Sequence, residues 1–225
     1  MYVAAPNETM VTAITRRPGR NGGDAPMMEV FDAWELRWTA RHLPTLDAAW
    51  SPPSSLDPDF RVVYEHDVYV LMRSDRINLK VRYRENSLKL KRLVERTDDG
   101  FERWRTEFDV PLPAGPERFR DVLDLIGWAG PAERLGAAAR AGEVVEILEA
   151  TCDPSQLVAV HKSRHLFERG ACRVDDVRFR TRGGTYRSLG VESSHLGDLR
   201  SLVQDLGQGR LGSPCNYTEF LAVHL

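Results

Sequence analysis

The sequence predicts an α+β protein with an antiparallel sheet, on three observations. Alternating apolar and polar residues recur in short runs from Trp34 to Asp109 and again from Leu157 to Ser193. Turn-forming residues punctuate them, at Ser74-Asp75, Glu85-Asn86, Asp98-Asp99-Gly100 and Arg182-Gly183-Gly184, which is hairpin spacing. Between the two blocks, from Pro116, the apolar residues recur at helical spacing instead. Runs of strands interrupted by helices define the class.

Residues 1–26 carry Pro6, Pro18, Gly19, Gly22, Gly23 and Pro26 among polar residues and read as a flexible tail. Residues 27–225 then form one domain. The first strand falls in 27–40, where Trp34, Leu36 and Trp38 share one side and Glu35 and Arg37 the other. A proline-rich connection spans 43–59. Strands follow at 60–65, 67–73, 77–84, 87–95 and 101–109. FRDVLDLIGW, PAERLGAAARAG and GEVVEILEAT give two or three short helices within 116–151, separated by Pro or Gly. Strands return in LVAVHKSRHLFE, ACRVDDVRF and TYRSLGVES. The stretch HLGDLRSLVQDLG is a helix, and NYTEFLAVHL reads as a tail.

Composition narrows the partners. The 225 residues suffice for one large domain, and 42% hydrophobic content for an ordinary core. A net charge of −2 gives no general attraction to nucleic acid or membrane, so neither is an expected partner and any basic site is local. Cys152, Cys172 and Cys215 lack zinc-site spacing and the even count of a disulfide scaffold, which favours a reduced, cytoplasmic setting. No apolar run approaches the roughly 20 residues that span a bilayer. Nothing in the chain fixes an oligomeric state.

The chemistry lies in charge segregation. Lys80 and Arg82 share one strand face, Lys89 and Lys91 another, Lys162 and Arg164 a third, and Arg37 adds to them, against few acids. A solvated outer face is the plain alternative, but solvated faces mix both signs. If the strands close into a barrel with these faces inward, the clustered cations need an anion, and a polyphosphate suits both the arginine fork and the lysine point charge. Glu35 and Glu192, with Asp175 as a third candidate, are hard oxygen ligands for Mg²⁺ or Mn²⁺, or else ion-pair partners of neighbouring bases. His161 and His165 fall on the opposite strand face and read as surface or packing residues. The five tryptophans, Trp34, Trp38, Trp50, Trp104 and Trp128, read as packing residues too. No glycine-rich phosphate loop is present.

In order and spacing, WELRW, NLKVRYRENSLKLK, AVHKSR, CRVDDV, SLGVES and NYTEFL resemble the motifs of the CYTH superfamily of triphosphate tunnel enzymes, over most of residues 28–222. The resemblance implies a closed eight-stranded antiparallel β-barrel, or tunnel, with helices packed outside. It also implies phosphate contacts from Lys80, Arg82, Lys89, Lys91, Lys162 and Arg164, and metal ligation by Glu35 and Glu192. The implied activities include triphosphatase, thiamine triphosphatase and adenylate cyclase, and the first reading is metal-dependent hydrolysis of a phosphoanhydride in a triphosphate, polyphosphate or nucleotide. Two departures stand out. The family's Glu-x-Glu-x-Lys strand reads Glu35-Leu36-Arg37-Trp38-Thr39, and its closing Glu-x-Glu has Gly190 before Glu192. The basic half of such a site is complete and the acidic half depleted, which suits a binding module that has lost turnover as well as it suits an enzyme.

Overall fold

Inward cations and outward aliphatics along the same strands dictate a sheet with two very different faces, and curling that sheet into a cylinder gives each face its own surroundings. The computed structural model describes residues 32–43, 60–72, 74–153, 156–207 and 211–224. Its strands are β1 (Asp32–Ala40), β2 (Arg61–Val70), β3 (Ile77–Arg82), β4 (Ser87–Arg96), β5 (Glu102–Pro111), β6 (Leu157–Arg169), β7 (Cys172–Thr181) and β8 (Gly184–Ser193). They close into one antiparallel barrel in the order β1-β5-β4-β3-β2-β6-β7-β8. This is the architecture that the resemblance implied.

Helices cover two sectors of the outside. α1 (Pro116–Ile126), α2 (Ala132–Ala137) and α3 (Ala141–Glu149) form the internal helical block. Phe119, Val122, Leu135, Val144 and Leu148 from these helices pack on Val68, Val70, Leu79, Val81, Leu88 and Leu90, the outward residues of β2, β3 and β4. On the other side α4 (Leu196–Asp205) sets Leu199 and Val203 against Leu36, Trp38, Val174, Leu189 and Val191 of β1, β7 and β8. Full burial of aliphatic side chains of this kind contributes about 1.5–3 kcal/mol each. The same alternation that hides these residues outside the barrel sends their neighbours into its lumen.

Two sequence expectations are corrected. Segments 60–65 and 67–73 are one strand, β2, because His66 does not interrupt the alternation: it faces outward opposite His161 of β6, and the two rings stack at 4.2 Å. The C-terminal tail is a helix, α5 (Tyr217–His224). Asn216 and Glu219 cap it reciprocally: the Asn216 Oδ1 accepts from the Glu219 N–H at 3.0 Å, and Glu219 Oε2 accepts from the Asn216 N–H at 3.4 Å. Tyr217, Phe220 and Leu221 of α5 pack among Val158, Val160, Val177, Phe179 and Tyr186, the inward residues of β6, β7 and β8, so α5 stops one mouth of the barrel. The 1–26 tail, residues 27–31 of the first strand, the 44–59 connection and Trp50 lie outside the described residues.

Candidate functional site

Above the apolar floor built with α5, the lumen turns polar. A cavity of about 130 Å³ there is lined by all ten residues singled out in the sequence: Arg37, Lys80, Arg82, Lys89, Lys91, Lys162, Arg164, Glu35, Asp175 and Glu192. Strand register explains the convergence. Lys80 stands opposite Lys89 between β3 and β4, Asn78 opposite Lys91, and Glu35 opposite Glu192 between β1 and β8. His161 lies on the outer surface and His165 tilts against Phe60, so neither histidine enters the lumen.

The cations are not, however, free of acids. Asp67 of β2 is fully buried and its Oδ2 accepts from both Lys80 Nζ and Lys162 Nζ at 2.7 Å. Burial alone would raise this carboxyl, but the two ammonium groups hold it well below the usual range. Glu65, one inward position earlier, accepts from Arg164 Nη1 at 2.7 Å. Asp175 accepts both fork nitrogens of Arg164, at 3.0 and 2.8 Å, and a 3.2 Å bond from Arg37; against the opposing effect of burial these guanidiniums lower it to about 2. Asp109 of β5 pairs with Lys89 at 2.8 Å and Arg82 at 3.3 Å. Among the described residues no carboxylate lies within ion-pair distance of Lys91.

Several further residues at the site are not singled out by the sequence pattern, Asn78, Asp109 and Asn216 among them. Glu65, Asp67 and Tyr69 sit on inward positions of β2, a strand the sequence reading divided at His66. Glu102 shares a face of β5 with Trp104, and Trp104 is no mere packing residue: it lines the cavity and its Nε1 donates to Glu102 Oε2 at 2.9 Å. Arg173 precedes Asp175 by two on β7 and bonds Glu192. Tyr217 comes from α5, and the Arg37 guanidinium lies 4.6 Å above its ring. Burial pushes the Tyr69 and Tyr217 phenols up to about 12, so both remain protonated donors, and Tyr69 accepts from Lys162 at 2.7 Å.

The arginine at 37 and the glycine at 190 have a steric and electrostatic explanation. Arg37 and Gly190 are cross-strand partners, and a Cβ on Gly190 would lie 2.6 Å from Arg37 Cζ. Glycine here makes room for the arginine. From this seat Arg37 donates Nε to Glu35 Oε1 at 2.5 Å and Nη1 to Ser188 at 3.1 Å. A guanidinium thus occupies the position where the sequence resemblance led to the expectation of a carboxylate.

Three glutamates nevertheless share one level of the wall, since Glu35 is the register partner of Glu102 on one side and of Glu192 on the other. Each turns to its own donors: Glu35 to Arg37, Glu192 to Arg173, Glu102 to Trp104, Asn216 and Arg96. Among the described residues no three His, Cys, Asp or Glu side chains converge to hold a metal ion. The acids assigned to Mg²⁺ or Mn²⁺ by resemblance are therefore engaged as counterions, and they do not fit a preformed metal centre.

No family model matches the chain, and no curated protein matches it. Solved structures do. A putative adenylyl cyclase from Hippeastrum with a dominant triphosphatase activity matches at 12% identity and a TM-score of 0.47, covering 86% of this chain and 97% of its own. A putative adenylate cyclase from Bacillus halodurans matches at 14% and 0.41, over 81% and 94%. The S. pombe RNA triphosphatase Pct1 matches at 12% and 0.31, over 87% and 81%. Among the described residues, no helix is long and apolar enough to cross a membrane.

Proposed function

We propose that the lumen captures a phosphate chain, that of a triphosphate, a polyphosphate or a nucleotide, by exchanging its internal carboxylates for phosphate oxygens. One observation carries this reading: eight basic side chains, Arg173 and the seven singled out in the sequence, line a single cavity beside three acidic ones. Even with Glu65, Asp67 and Asp109 counted, cations remain in excess. The cavity's 130 Å³ is well below the 300–1,000 Å³ of ordinary ligand pockets, because cross-lumen ion pairs fill it. A chain of phosphates offers the same cations more oxygens in a row than isolated carboxylates do, and Arg164 and Arg37 present flat forks to receive them. Lys91, which acts on Glu192 across the lumen but makes no ion pair among the described residues, is the natural first contact.

Capture uses the lumen's own cations, since the candidate metal-binding carboxylates Glu35 and Glu192 are held by Arg37 and Arg173. Hydrolysis of a phosphoanhydride with Mg²⁺ or Mn²⁺ is the second reading, favoured by Glu35 and Glu192 facing each other across β1 and β8. Thermal shift and released phosphate, measured with inorganic triphosphate, ATP and thiamine triphosphate with and without each metal, separate the two. Stabilisation without release, lost in Lys80→Ala/Lys89→Ala, supports capture. Metal-dependent release abolished by Glu35→Gln or Glu192→Gln supports hydrolysis, and no response to any polyanion refutes both.

A further inference from the structure

The barrel is closed, but among the described residues the first half of β2 has a strand neighbour on one side only. β2 pairs with β6 over its whole length, from Arg61 to Val70, but with β3 only from Asp67 to Val70. At Tyr83 the chain leaves β2, its N–H making a last bond to the His66 carbonyl at 3.0 Å. In an antiparallel ladder, alternate residues direct N–H and C=O to the same side. His66 directs them towards β3, so Tyr64 and Val62 do likewise, and among the described residues no strand meets them. An open edge of this kind templates pairing with another strand.

What borders that edge is self-complementary. Tyr64 and Val62 are 71% and 45% exposed, two of the four exposed large apolar residues among those described, and they stand on the same face of the same edge. Arg61 is exposed with no ion pair among the described residues, while the buried Glu65 Oε2 has no hydrogen-bond donor. We propose that this edge pairs with its counterpart in a second copy of the chain, antiparallel and centred on Val63, giving a two-fold dimer. In that register Val62 and Tyr64 form two mutually hydrogen-bonded pairs with Tyr64 and Val62 of the other copy, satisfying all four open groups on each edge. The same register sets Arg61 opposite Glu65, so the exposed guanidinium twice meets a carboxylate oxygen that lacks a hydrogen-bond donor and has Lys162 Nζ only at 3.8 Å. Centring the pair one residue away in either direction loses the Arg61–Glu65 match. Opposite charges and aromatic against β-branched residues are the cross-strand pairs that stabilise a ladder. The partner strand would lie over the lateral cleft between Tyr64, Glu65, Tyr83 and Lys162.

The test is a concentration series by size-exclusion chromatography with light scattering on the full chain. Wild type moves from 25.5 kDa towards twice that mass as concentration rises. Arg61→Glu, which creates two like-charge pairs, raises the dissociation constant by about tenfold or more, whereas Arg61→Lys stays close to wild type. Tyr64→Lys, a charge on the edge, also dissociates the dimer. Both positions are exposed, and unchanged circular dichroism and thermal transitions of the variants confirm that the fold is kept. A wild type that is monomeric throughout overturns the proposal, as does a dimer indifferent to Arg61→Glu and Tyr64→Lys. A monomer whose Val62 and Tyr64 amides are protected from hydrogen exchange overturns it in favour of the chain's own residues covering the edge.

Discussion

Replacing Asp67 by Asn leaves shape almost unchanged while removing the carboxylate oxygen that accepts from both Lys80 and Lys162, with Glu65 Oε2 left at 3.8 Å from Lys162. The lysine side chains are 15% and 3% exposed, so neither ammonium can turn to bulk water without moving the wall. Breaking a buried pair in this way costs about 3–5 kcal/mol. For a chain of this size each kcal/mol shifts the melting temperature by about 2–4 °C, so Asp67→Asn melts roughly 6–20 °C below wild type. The loss should be conditional. A phosphate chain that takes over as counterion no longer competes with Asp67, so inorganic triphosphate raises the melting temperature of Asp67→Asn by more than that of wild type. Scanning calorimetry of both proteins, with and without triphosphate, reads the four values needed. The reasoning is refuted if the variant melts within 2 °C of wild type, or if triphosphate stabilises both equally.

Other perturbations test separate parts of the account. Asp175 at about 2, with Asp67 and Glu65 also depressed, stabilises the fold above the ordinary carboxylate range, and this contribution fades as pH falls towards 2. Asp175 alone supplies roughly 2 kcal/mol of it, so urea midpoints fall on acidification and Asp175→Asn flattens that fall. Glu102 runs the other way: burial raises its carboxyl, so its ionisation costs stability as pH rises, and Glu102→Gln removes this opposing slope in the same titration. Gly190→Ala displaces the Arg37 guanidinium and destabilises the barrel, whereas Gly190→Ala combined with Arg37→Ala is less damaging than the sum of the two single changes, a coupling that denaturant unfolding measures. Phe220→Ala in the α5 stopper costs about 3–5 kcal/mol by the same assay, since the ring packs edge-on against Phe179 and Tyr186.

The basic side of the lumen was legible because strand alternation is a local property: Lys80 and Arg82, Lys89 and Lys91, Lys162 and Arg164 declare a shared face within three residues. Closure of the barrel brought those faces together, and no short window of sequence contains that information. The acids were harder to see. Asp67 and Glu65 were hidden because His66, polar but outward, looked like a break between strands, although Glu65, Asp67 and Tyr69 do alternate with His66 and Val68. Glu102 and Asp109 belong to a strand in which charged residues occupy both faces, so parity alone could not pick them out. For α5 the signal existed in Asn216-Tyr217-Thr218-Glu219, a reciprocal helix cap, but the helix has only eight residues and takes its stability from the barrel floor. The exchange of carboxylates for Arg37 and Gly190 was visible as a departure from pattern, while its meaning, one residue making space for the other across a strand pair, needed the register.

Isothermal titration of wild-type protein with inorganic triphosphate in metal-free buffer, repeated at rising salt and with Lys80→Ala/Lys89→Ala, tests the central claim most directly. Saturable one-to-one binding that weakens with salt and is lost in the double variant is the predicted result. Binding that needs Mg²⁺ or Mn²⁺ to be detected at all, or that survives the double variant unchanged, contradicts a lumen that captures phosphate chains with its own cations.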